Sequence, residues 1–294
     1  MTKLPYIFIF DIDNCLIGNI DSVLNEHIIL NYMRKSCKIN KITDKCLFNI
    51  NFEEELEKGL LRPYANDFIQ FAKQKYKPLE LYLYTNSTYS WANDGLIPNI
   101  QKKINHTINL PIFTRENSIR DGGKSLSNVY EIIIENLVNK YPSLKEESNI
   151  KEVFENRLVF IDDIEFNLRD FPNKQIKCPE YNYEPPYSNI KETIKKKYNI
   201  DEKLFDNIEI YRFCSSNKIP IYSSNGVHLN QKDKLLYNLL ENYNIRESEL
   251  KHAIYKNNPD TFFKELIKKM KNINELNEKN IKKINDKLNN KKEK

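Results

Sequence analysis

Short apolar segments alternate with longer amphipathic stretches through about the first 255 residues of the chain. The apolar segments have the length of buried strands, and the stretches between them repeat apolar residues at helical spacing. This alternation predicts β-α units around a parallel sheet. The predicted strands are Tyr6–Phe10, Leu79–Tyr84, Pro111–Phe113 and Leu158–Ile161, with further candidates at Ile176–Cys178, Ile208–Phe213 and Ile219–Tyr222.

Helical spacing is strongest in a second set of segments. The predicted helices are 22–34, 64–75, 125–139, 231–243 and 260–288. The first two predicted strands are separated by about seventy residues, which is many more than a crossover connection needs. An inserted helical segment at about 18–60 is therefore predicted.

Composition excludes several classes of protein. With 40% hydrophobic residues, the chain can bury a core, and it is not collagen, a wholly disordered chain or a cysteine-dense scaffold. The cysteines are odd in number and contain no CxxC pair, so we expect reduced thiols and no structural zinc site. The histidines are scattered without the spacing of metal ligands. These residues are Cys15, Cys37, Cys46, Cys178 and Cys214, and His27, His106, His228 and His252.

Hydropathy gives no sign of a membrane segment. The longest apolar runs are far too short to cross a bilayer. Asp11 and Asp13 stand where a signal peptide would need apolar residues. We therefore expect an intracellular protein, cytoplasmic or nuclear, with no membrane span.

The positive charge is concentrated at the C-terminal end. Residues 256–294 contain 12 lysines and 6 acidic residues, a net charge of +6, which leaves −1 for the rest of a chain whose total is +5. From Thr261 onward, apolar residues recur among the lysines at helical intervals. An amphipathic basic helix would suit an acidic partner or nucleic acid, and it would equally suit a helix packed on the domain with a lysine-rich end.

Acidic side chains follow two of the predicted strands at the point where each strand ends. Asp11 and Asp13 come after the first predicted strand, and Asp162 and Asp163 after the fourth. Acidic residues commonly end strands in turns, so either pair alone has a structural explanation. Two adjacent carboxylates repel each other unless a cation or water compensates. A Mg²⁺ ion at the carboxyl edge of the sheet would explain both pairs together.

Groups that suit an anion lie between these acidic pairs along the chain. Thr85 and Asn86 follow the second predicted strand, and Lys124 opens a predicted helix. The sequence Gly122-Gly-Lys-Ser125 is not a P-loop, because that pattern requires glycine where Ser118 stands. A hydroxyl-rich turn and a surface lysine are the ordinary alternatives. At the same sheet edge as the acids, these residues would bind a phosphoryl group.

In this order, the four signals resemble the four motifs of the haloacid dehalogenase superfamily, whose phosphatases use an aspartyl-phosphate intermediate. The motifs are Asp11-Ile-Asp13, Thr85, Lys124 and Asp162-Asp163. Neighbouring residues are similar to the branch that contains the RNA polymerase II C-terminal-domain phosphatases and the NLI-interacting-factor-like proteins. They are Arg62-Pro63, Tyr84-Thr-Asn86, Arg115-Glu-Asn117 and Lys124-Ser-Leu-Ser127. Cys15 and Ser125 stand where the superfamily signature has threonine and this branch has aspartate.

The resemblance covers about residues 5–180 and implies a fold. We expect a Rossmann-like three-layer α/β/α sandwich with a mainly parallel sheet. The catalytic domain would cover residues 1–190, including the helical insertion. Residues 191–294 would form a mostly helical C-terminal extension, with the basic tail from about residue 256.

The resemblance also implies a reaction. Asp11 would be the nucleophile, and Asp13 would be the general acid and base. Mg²⁺ would be held by Asp11, the backbone carbonyl of Asp13, Asp162 and Asp163. Of the last two, Asp162 is favoured for direct contact and Asp163 for contact through water.

Substrate contacts are implied in the same way. Thr85, Asn86 and Lys124 would bind phosphoryl oxygens. Arg115 and Arg120 are candidate contacts for acidic or phosphorylated residues that flank the reacting phosphate, with solvated surface arginines as the alternative.

Three functions are open at this point. The first is a Mg²⁺-dependent phosphatase that acts on phosphoserine or phosphothreonine in a protein or peptide. The second keeps the chemistry but acts on a nucleotide or a polynucleotide end, which the basic tail would suit. The third is a catalytically weak relative that uses the fold as a binding module. The intact set of motif residues argues against the third function, whereas Cys15 argues for it.

Overall fold

A computed structural model describes residues 3–18, 51–87, 95–119, 122–183, 187–200, 252–254, 256–257 and 259–289. The chain divides into two compact units, the first made of residues 1–18, 52–182 and 260–294, and the second of residues 19–51 and 183–259. The predicted strands Ile208–Phe213 and Ile219–Tyr222 and the predicted helices 22–34 and 231–243 lie outside the described residues. The domain boundary at residue 190 stays a prediction.

The first unit is built on a four-stranded parallel sheet. Its strands are β1 (Tyr6–Phe10), β2 (Leu79–Leu83), β3 (Leu158–Asp162) and β4 (Gln175–Lys177), in the order β2-β1-β3-β4. All five residues of β2 and of β3 are buried, as expected where helices cover both faces of a parallel sheet. The predicted α/β class with a parallel sheet is therefore confirmed.

The structure gives bounds for eight α-helices among the described residues. They are α1 (Phe52–Glu55), α2 (Ala65–Lys75), α3 (Leu96–Ile104), α4 (Ser127–Val138), α5 (Glu147–Arg157), α6 (Tyr187–Tyr198), α7 (Phe262–Met270) and α8 (Glu278–Asn289). Helix α6 belongs to the second unit. No helix in the described ranges is long and apolar enough to cross a bilayer.

The two faces of the sheet have different cores. On one face, Ile7 and Ile9 of β1 pack with apolar residues of α4 and α5. On the other face, Phe8 and Phe10 lie against Phe68 of α2, with ring centroids 6.1 Å apart in both pairs. This division follows from the alternation of side chains along β1. Helices on both faces give the three layers that the sequence predicted.

The C-terminal helices belong to the first unit and cover its aromatic face. Phe263 of α7 stacks on Phe68 with ring centroids 5.1 Å apart and reaches Phe10 at 6.2 Å. In α8, Ile281 and Ile284 are fully buried. Of the two alternatives for the basic tail, the structure shows helices packed on the domain.

Two sequence predictions are corrected. The predicted helix 260–288 is two helices, because residues between Met270 and Glu278 form an extended connection. A side chain from another part of the chain binds this connection: the hydroxyl of Tyr76 donates to the carbonyl oxygen of Ile273 at 2.8 Å. The predicted strand Pro111–Phe113 is reduced to one bridge between Phe113 and Tyr84.

The packing of α7 gives a testable consequence. Phe263→Ala should lower the free energy of unfolding by about 3–5 kcal/mol, because it removes a fully buried ring from the aromatic face. Lys268→Ala, an exposed change on the same helix, should shift it by less than about 0.5 kcal/mol. Urea denaturation followed by circular dichroism measures both. Equal stability of the two variants would contradict the assigned docking of α7.

Candidate functional site

Three neighbouring strands bring their following residues to one edge of the sheet. Asp11 follows β1, Thr85 lies two residues after β2, and Asp162 is the last residue of β3. The backbone N–H of Asp11 donates to the oxygen of Ile161 at 2.9 Å, so the ladder between β1 and β3 continues to this edge. Because β1 lies between β2 and β3, all three residues lie at the same edge of the sheet.

Lys124 reaches the same place from a connection outside the four strands. It forms a parallel bridge with Leu168: the N–H of Lys124 donates to Asn167 at 2.9 Å, and the N–H of Arg169 donates to Lys124 at 3.0 Å. Gly122, two residues earlier, has φ of +81°, a backbone conformation that favours glycine. These constraints fix the backbone of Lys124 beside the strand ends.

The ammonium group of Lys124 joins two of the acids. Its Nζ lies 2.5 Å from Oδ1 of Asp11 and 2.8 Å from Oδ2 of Asp162. Burial alone would lower the pKa of Lys124, but the charges of Asp11 and Asp162 outweigh it and hold the pKa above its ordinary value. Lys124 is therefore a buried cation shared by two strand ends, and the surface-lysine alternative is excluded by its burial.

A third carboxylate completes the cluster. Asp11, Asp162 and Asp163 each place an oxygen within 4.8 Å of the other two. Burial, with smaller contributions from the charges of Asp162 and Asp163, raises the pKa of Asp11 to about 7 against the opposing effect of Lys124. Burial, followed by the charge of Asp162, raises the pKa of Asp163 to about 6.

This donor set fits a hard divalent cation. Three carboxylates face one ammonium group, so the fully ionised cluster carries two negative charges in excess. Burial is the largest cause of the raised pKa values of Asp11 and Asp163, and repulsion from the neighbouring carboxylates adds to it. A divalent cation balances the excess charge, and carboxylate oxygens are the ligands that Mg²⁺ prefers.

The hydrogen bonds divide the roles of the two adjacent acids. Oδ1 of Asp162 accepts the N–H of Ile164 at 2.8 Å, and Oδ2 accepts Lys124 and, at 2.9 Å, the side-chain amide of Asn167. Asp162 is thus held on both oxygens by protein donors. These contacts favour Asp163 for direct cation contact, the opposite of the preference drawn from the sequence.

Asp13 lies on a tight turn that follows Asp11. Its φ and ψ of −70° and 136° are extended, and Asn14 next to it has φ of +55° in the left-handed region. Ser87 donates its hydroxyl to Oδ2 of Asp13 at 3.3 Å. The turn Ile12–Leu16 therefore directs the Asp13 carboxylate toward the loop after β2.

Two of the predicted phosphoryl-binding residues, Thr85 and Asn86, lie on that loop. Thr85 is buried, and its Oγ1 accepts the N–H of Ser87 at 3.1 Å. Arg115 is exposed and donates from Nε to the oxygen of Asn86 at 2.9 Å. Arg115 thus lies beside the loop that carries Thr85 and Asn86, whereas Arg120 lies outside the described residues.

Both departures from the superfamily pattern have local explanations. Cys15 is fully buried and donates its thiol to the oxygen of Ile161 at 3.4 Å, so it ties the turn to β3. Ser125 donates its hydroxyl to Asp170 at 2.8 Å. Asp170 also accepts the N–H groups of Leu126 and Ser127 at 3.1 and 2.8 Å and caps the start of α4.

Sequence reasoning left several contributors out of the site. Asn167 follows the acidic pair by a few residues, and this polar residue in a turn after a strand was the available signal. Ser87 had a similar signal in the run Thr85-Asn-Ser87. Asp170 had none, because its contact with Ser125 joins residues 45 positions apart. Tyr181 is another contributor near the turn: it is buried and donates its hydroxyl to the carbonyl oxygen of Gly59 at 2.6 Å.

Comparison with known proteins gives little similarity. No protein-family model and no curated protein match the sequence. Among solved structures, the chain is similar to Fcp1, an essential RNA polymerase II CTD phosphatase, with a TM-score of 0.35 and 16% identity. The alignment covers 86% of this chain and 66% of that chain, just under two thirds of its length.

Cation binding should depend on pH. Below about pH 6 both Asp11 and Asp163 hold protons that a cation must displace, whereas above about pH 7 both are ionised. Affinity for Mg²⁺ should therefore rise from pH 5.5 to pH 7.5 and then level off, with proton release on binding near pH 6.5. Isothermal titration calorimetry in buffers of different ionisation enthalpy measures both effects.

Two variants make this measurement specific to the cluster. Asp163→Asn should weaken Mg²⁺ binding by at least about tenfold, because it removes a charged ligand. Glu165→Gln should leave the affinity unchanged, since Glu165 is an exposed acid paired with Lys177. Equal affinity at both pH values, or equal weakening in the two variants, would contradict the proposed ligand set.

Proposed function

We propose that the protein is a Mg²⁺-dependent phosphomonoester hydrolase of the haloacid dehalogenase type, acting on phosphoserine or phosphothreonine in protein. The observation that carries the proposal is the buried bridge from Lys124 to Asp11 and Asp162, with Asp163 in the same cluster. Asp13 lies one turn further along. A carboxylate held at a strand end, beside a buried ammonium group and a cation site, suits attack on a phosphoryl group.

The first chemical step belongs to Asp11. Its carboxylate attacks phosphorus and forms an acyl phosphate, while the bond from phosphorus to the ester oxygen breaks. Lys124 contacts Oδ1 of Asp11 and leaves Oδ2 to act as the attacking atom. Because Lys124 lowers the pKa of Asp11 against the effect of burial, it also favours the ionised form that the reaction needs.

Asp13 supplies the proton transfers. It gives a proton to the leaving ester oxygen, and in the second step it takes one from the water that attacks the acyl phosphate. Phosphate then leaves and Asp11 is restored as a carboxylate. The contact from Ser87 holds the Asp13 carboxylate toward the loop where the phosphoryl group would lie.

Several groups would neutralise the phosphoryl oxygens. Thr85 accepts the N–H of Ser87 and has its own hydroxyl proton to donate. Lys124 brings a positive charge into a buried site, where its effect on developing negative charge is larger than in water. A bound Mg²⁺ would screen the repulsion between the carboxylate and the phosphate and would orient the phosphoryl group.

The nucleophile gives the first functional test. Asp11→Asn should abolish hydrolysis of p-nitrophenyl phosphate, because an amide is not a competent nucleophile and changes little in shape. Circular dichroism serves as the folding control, and wild-type activity should disappear in EDTA and return with Mg²⁺. Most of the wild-type activity remaining in Asp11→Asn, or full activity in EDTA, would refute the mechanism.

A second enzyme function is supported by one feature of the surface. Helix α8 buries its isoleucines and exposes a basic face. The exposed lysines are Lys279, Lys282, Lys283 and Lys287. Such a face would suit the phosphate backbone of a nucleic acid. A nucleotide or polynucleotide phosphatase is therefore the alternative.

Substrate preference separates these two functions. A protein phosphatase should have a higher kcat/KM for phosphoserine peptides than for 3′-phosphorylated oligonucleotides. Arg115→Ala should lower kcat/KM about fivefold for a peptide with acidic flanks and leave p-nitrophenyl phosphate unaffected, because only the peptide reaches the arginine. Lys151→Ala, an exposed change on α5, should affect neither substrate. Preference for the oligonucleotide, with activity that falls steeply as salt rises, would favour the alternative.

A further inference from the structure

Arg62 is a buried cation that the proposed chemistry does not use. Its side chain has 0% exposure, and its guanidinium lies 4.7 Å from the ring centroid of Phe262 and 5.4 Å from that of Tyr181. A fully buried arginine is rare unless its donors are satisfied by specific acceptors. The acceptors of Arg62 therefore show which segments this side chain connects.

The guanidinium joins three separate segments of the first unit. Nη1 donates to the carbonyl of Cys15 at 3.1 Å, and Nη2 donates to the carbonyl of Pro179 at 2.8 Å. Nε and Nη2 form a bidentate pair with the carboxylate of Asp260, at 3.0 and 2.9 Å. Asp260 directly precedes the C-terminal helices, and its Oδ1 also accepts the N–H of Phe262 at 3.0 Å.

The carbonyl that Arg62 holds belongs to the turn that carries Asp13. The same turn is held at Asn14, whose oxygen accepts the N–H of Tyr181 at 2.7 Å, and at Leu16, whose oxygen accepts the N–H of Arg62 at 3.1 Å. Asn14 has a left-handed φ of +55°, which asparagine adopts more readily than most residues, and these hydrogen bonds hold the turn in that conformation. The direction of the Asp13 carboxylate thus depends on contacts with carbonyls on its C-terminal side.

We propose that Arg62, oriented by Asp260, is the positioning residue for the general acid Asp13. The inference rests on the proposed function. Under this proposal, the segment that begins at Asp260 supports catalysis without touching the substrate. Lysine cannot replace Arg62 in this role, because an ammonium group lacks the planar fork that binds Asp260 and the turn together.

General-acid catalysis has a kinetic signature that loss of folded protein does not have. The leaving group of p-nitrophenyl phosphate is a weak base and needs little protonation, whereas the oxygen of phenyl phosphate is more basic and depends on a proton donor. The two esters are nearly the same size. A variant with a misplaced acid should therefore lose more activity on phenyl phosphate than on p-nitrophenyl phosphate.

The experiment compares kcat/KM for both esters in the full-length wild type and four variants, because kcat/KM reports the step in which the ester oxygen leaves, whereas hydrolysis of the acyl phosphate is the same for both esters. Arg62→Lys and Asp260→Asn should each lose at least about tenfold more on phenyl phosphate than on p-nitrophenyl phosphate, as should the reference variant Asp13→Asn. Lys174→Met is the matched control, because Lys174 is also buried and donates to the oxygen of Leu276 at 3.5 Å in the C-terminal segment. The hydrogen bonds of Lys174 go to segments other than the turn, so this variant should lower both rates equally or not at all.

Hydrogen exchange provides a readout that does not need activity. Amides of residues 12–16 should exchange faster in Arg62→Lys and Asp260→Asn than in wild type or Lys174→Met. Equal losses on both esters, selectivity in Lys174→Met as well, or unchanged exchange at 12–16 would overturn the inference while leaving the proposed function intact. A wild type that hydrolyses neither ester would overturn the proposed function and, with it, the role assigned to Arg62.

Discussion

The ammonium group of Lys124 and the two carboxylates that share it are the interaction on which the site depends. A buried ammonium is costly unless charged acceptors surround it, and Asp11 and Asp162 provide these from two adjacent strands. The converse also holds, because the two carboxylates would repel each other without the cation between them. Strand pairing, the bridge at Lys124 and the cluster are therefore mutually dependent. In the proposed function, a divalent cation and a phosphoryl group bind at this edge of the sheet.

A second buried cation, Arg62, contacts the turn Ile12–Leu16 that carries Asp13. Arg62 binds Asp260 and two carbonyls, and it lies under the rings of Phe262 and Phe263. Helix α7 thus contributes both to the aromatic core and to the support of the turn. Asp260 and Cys15 lie far apart in the sequence, but the guanidinium of Arg62 binds both. A segment near the C-terminal end thus contacts the turn that carries Asp13.

The sequence was informative wherever a signal was local. The strands β1, β2 and β3 are short apolar runs, and the acids that follow two of them are readable from their positions alone. Helix α2 was predicted from apolar spacing, which the burial of Phe68, Ile69 and Ala72 explains. The placement of Asp11, Thr85 and Asp162 at one edge also followed from the topology of a parallel sheet, whereas Lys124 reaches that edge from a connection outside the four strands.

Contacts between distant segments could not be predicted in this way. Ser125 and Asp170 replace an expected aspartate by two residues that meet only in the folded chain. The break between α7 and α8 depends on side chains from elsewhere, such as Tyr76, that bind the carbonyls of the connection. The relative roles of Asp162 and Asp163 depend on donors from Lys124 and Asn167, which their order in the sequence does not reveal.

The central claim is that Asp11 forms a covalent bond with phosphorus during turnover. Rapid acid quenching of the protein with p-nitrophenyl phosphate and Mg²⁺, followed by digestion and mass spectrometry, tests it most directly. The account predicts a phosphoryl group on the peptide that contains Asp11, labile to hydroxylamine as an acyl phosphate is, and absent in Asp11→Asn. Steady turnover with no phosphorylated peptide, or with the phosphoryl group on another residue, would contradict it.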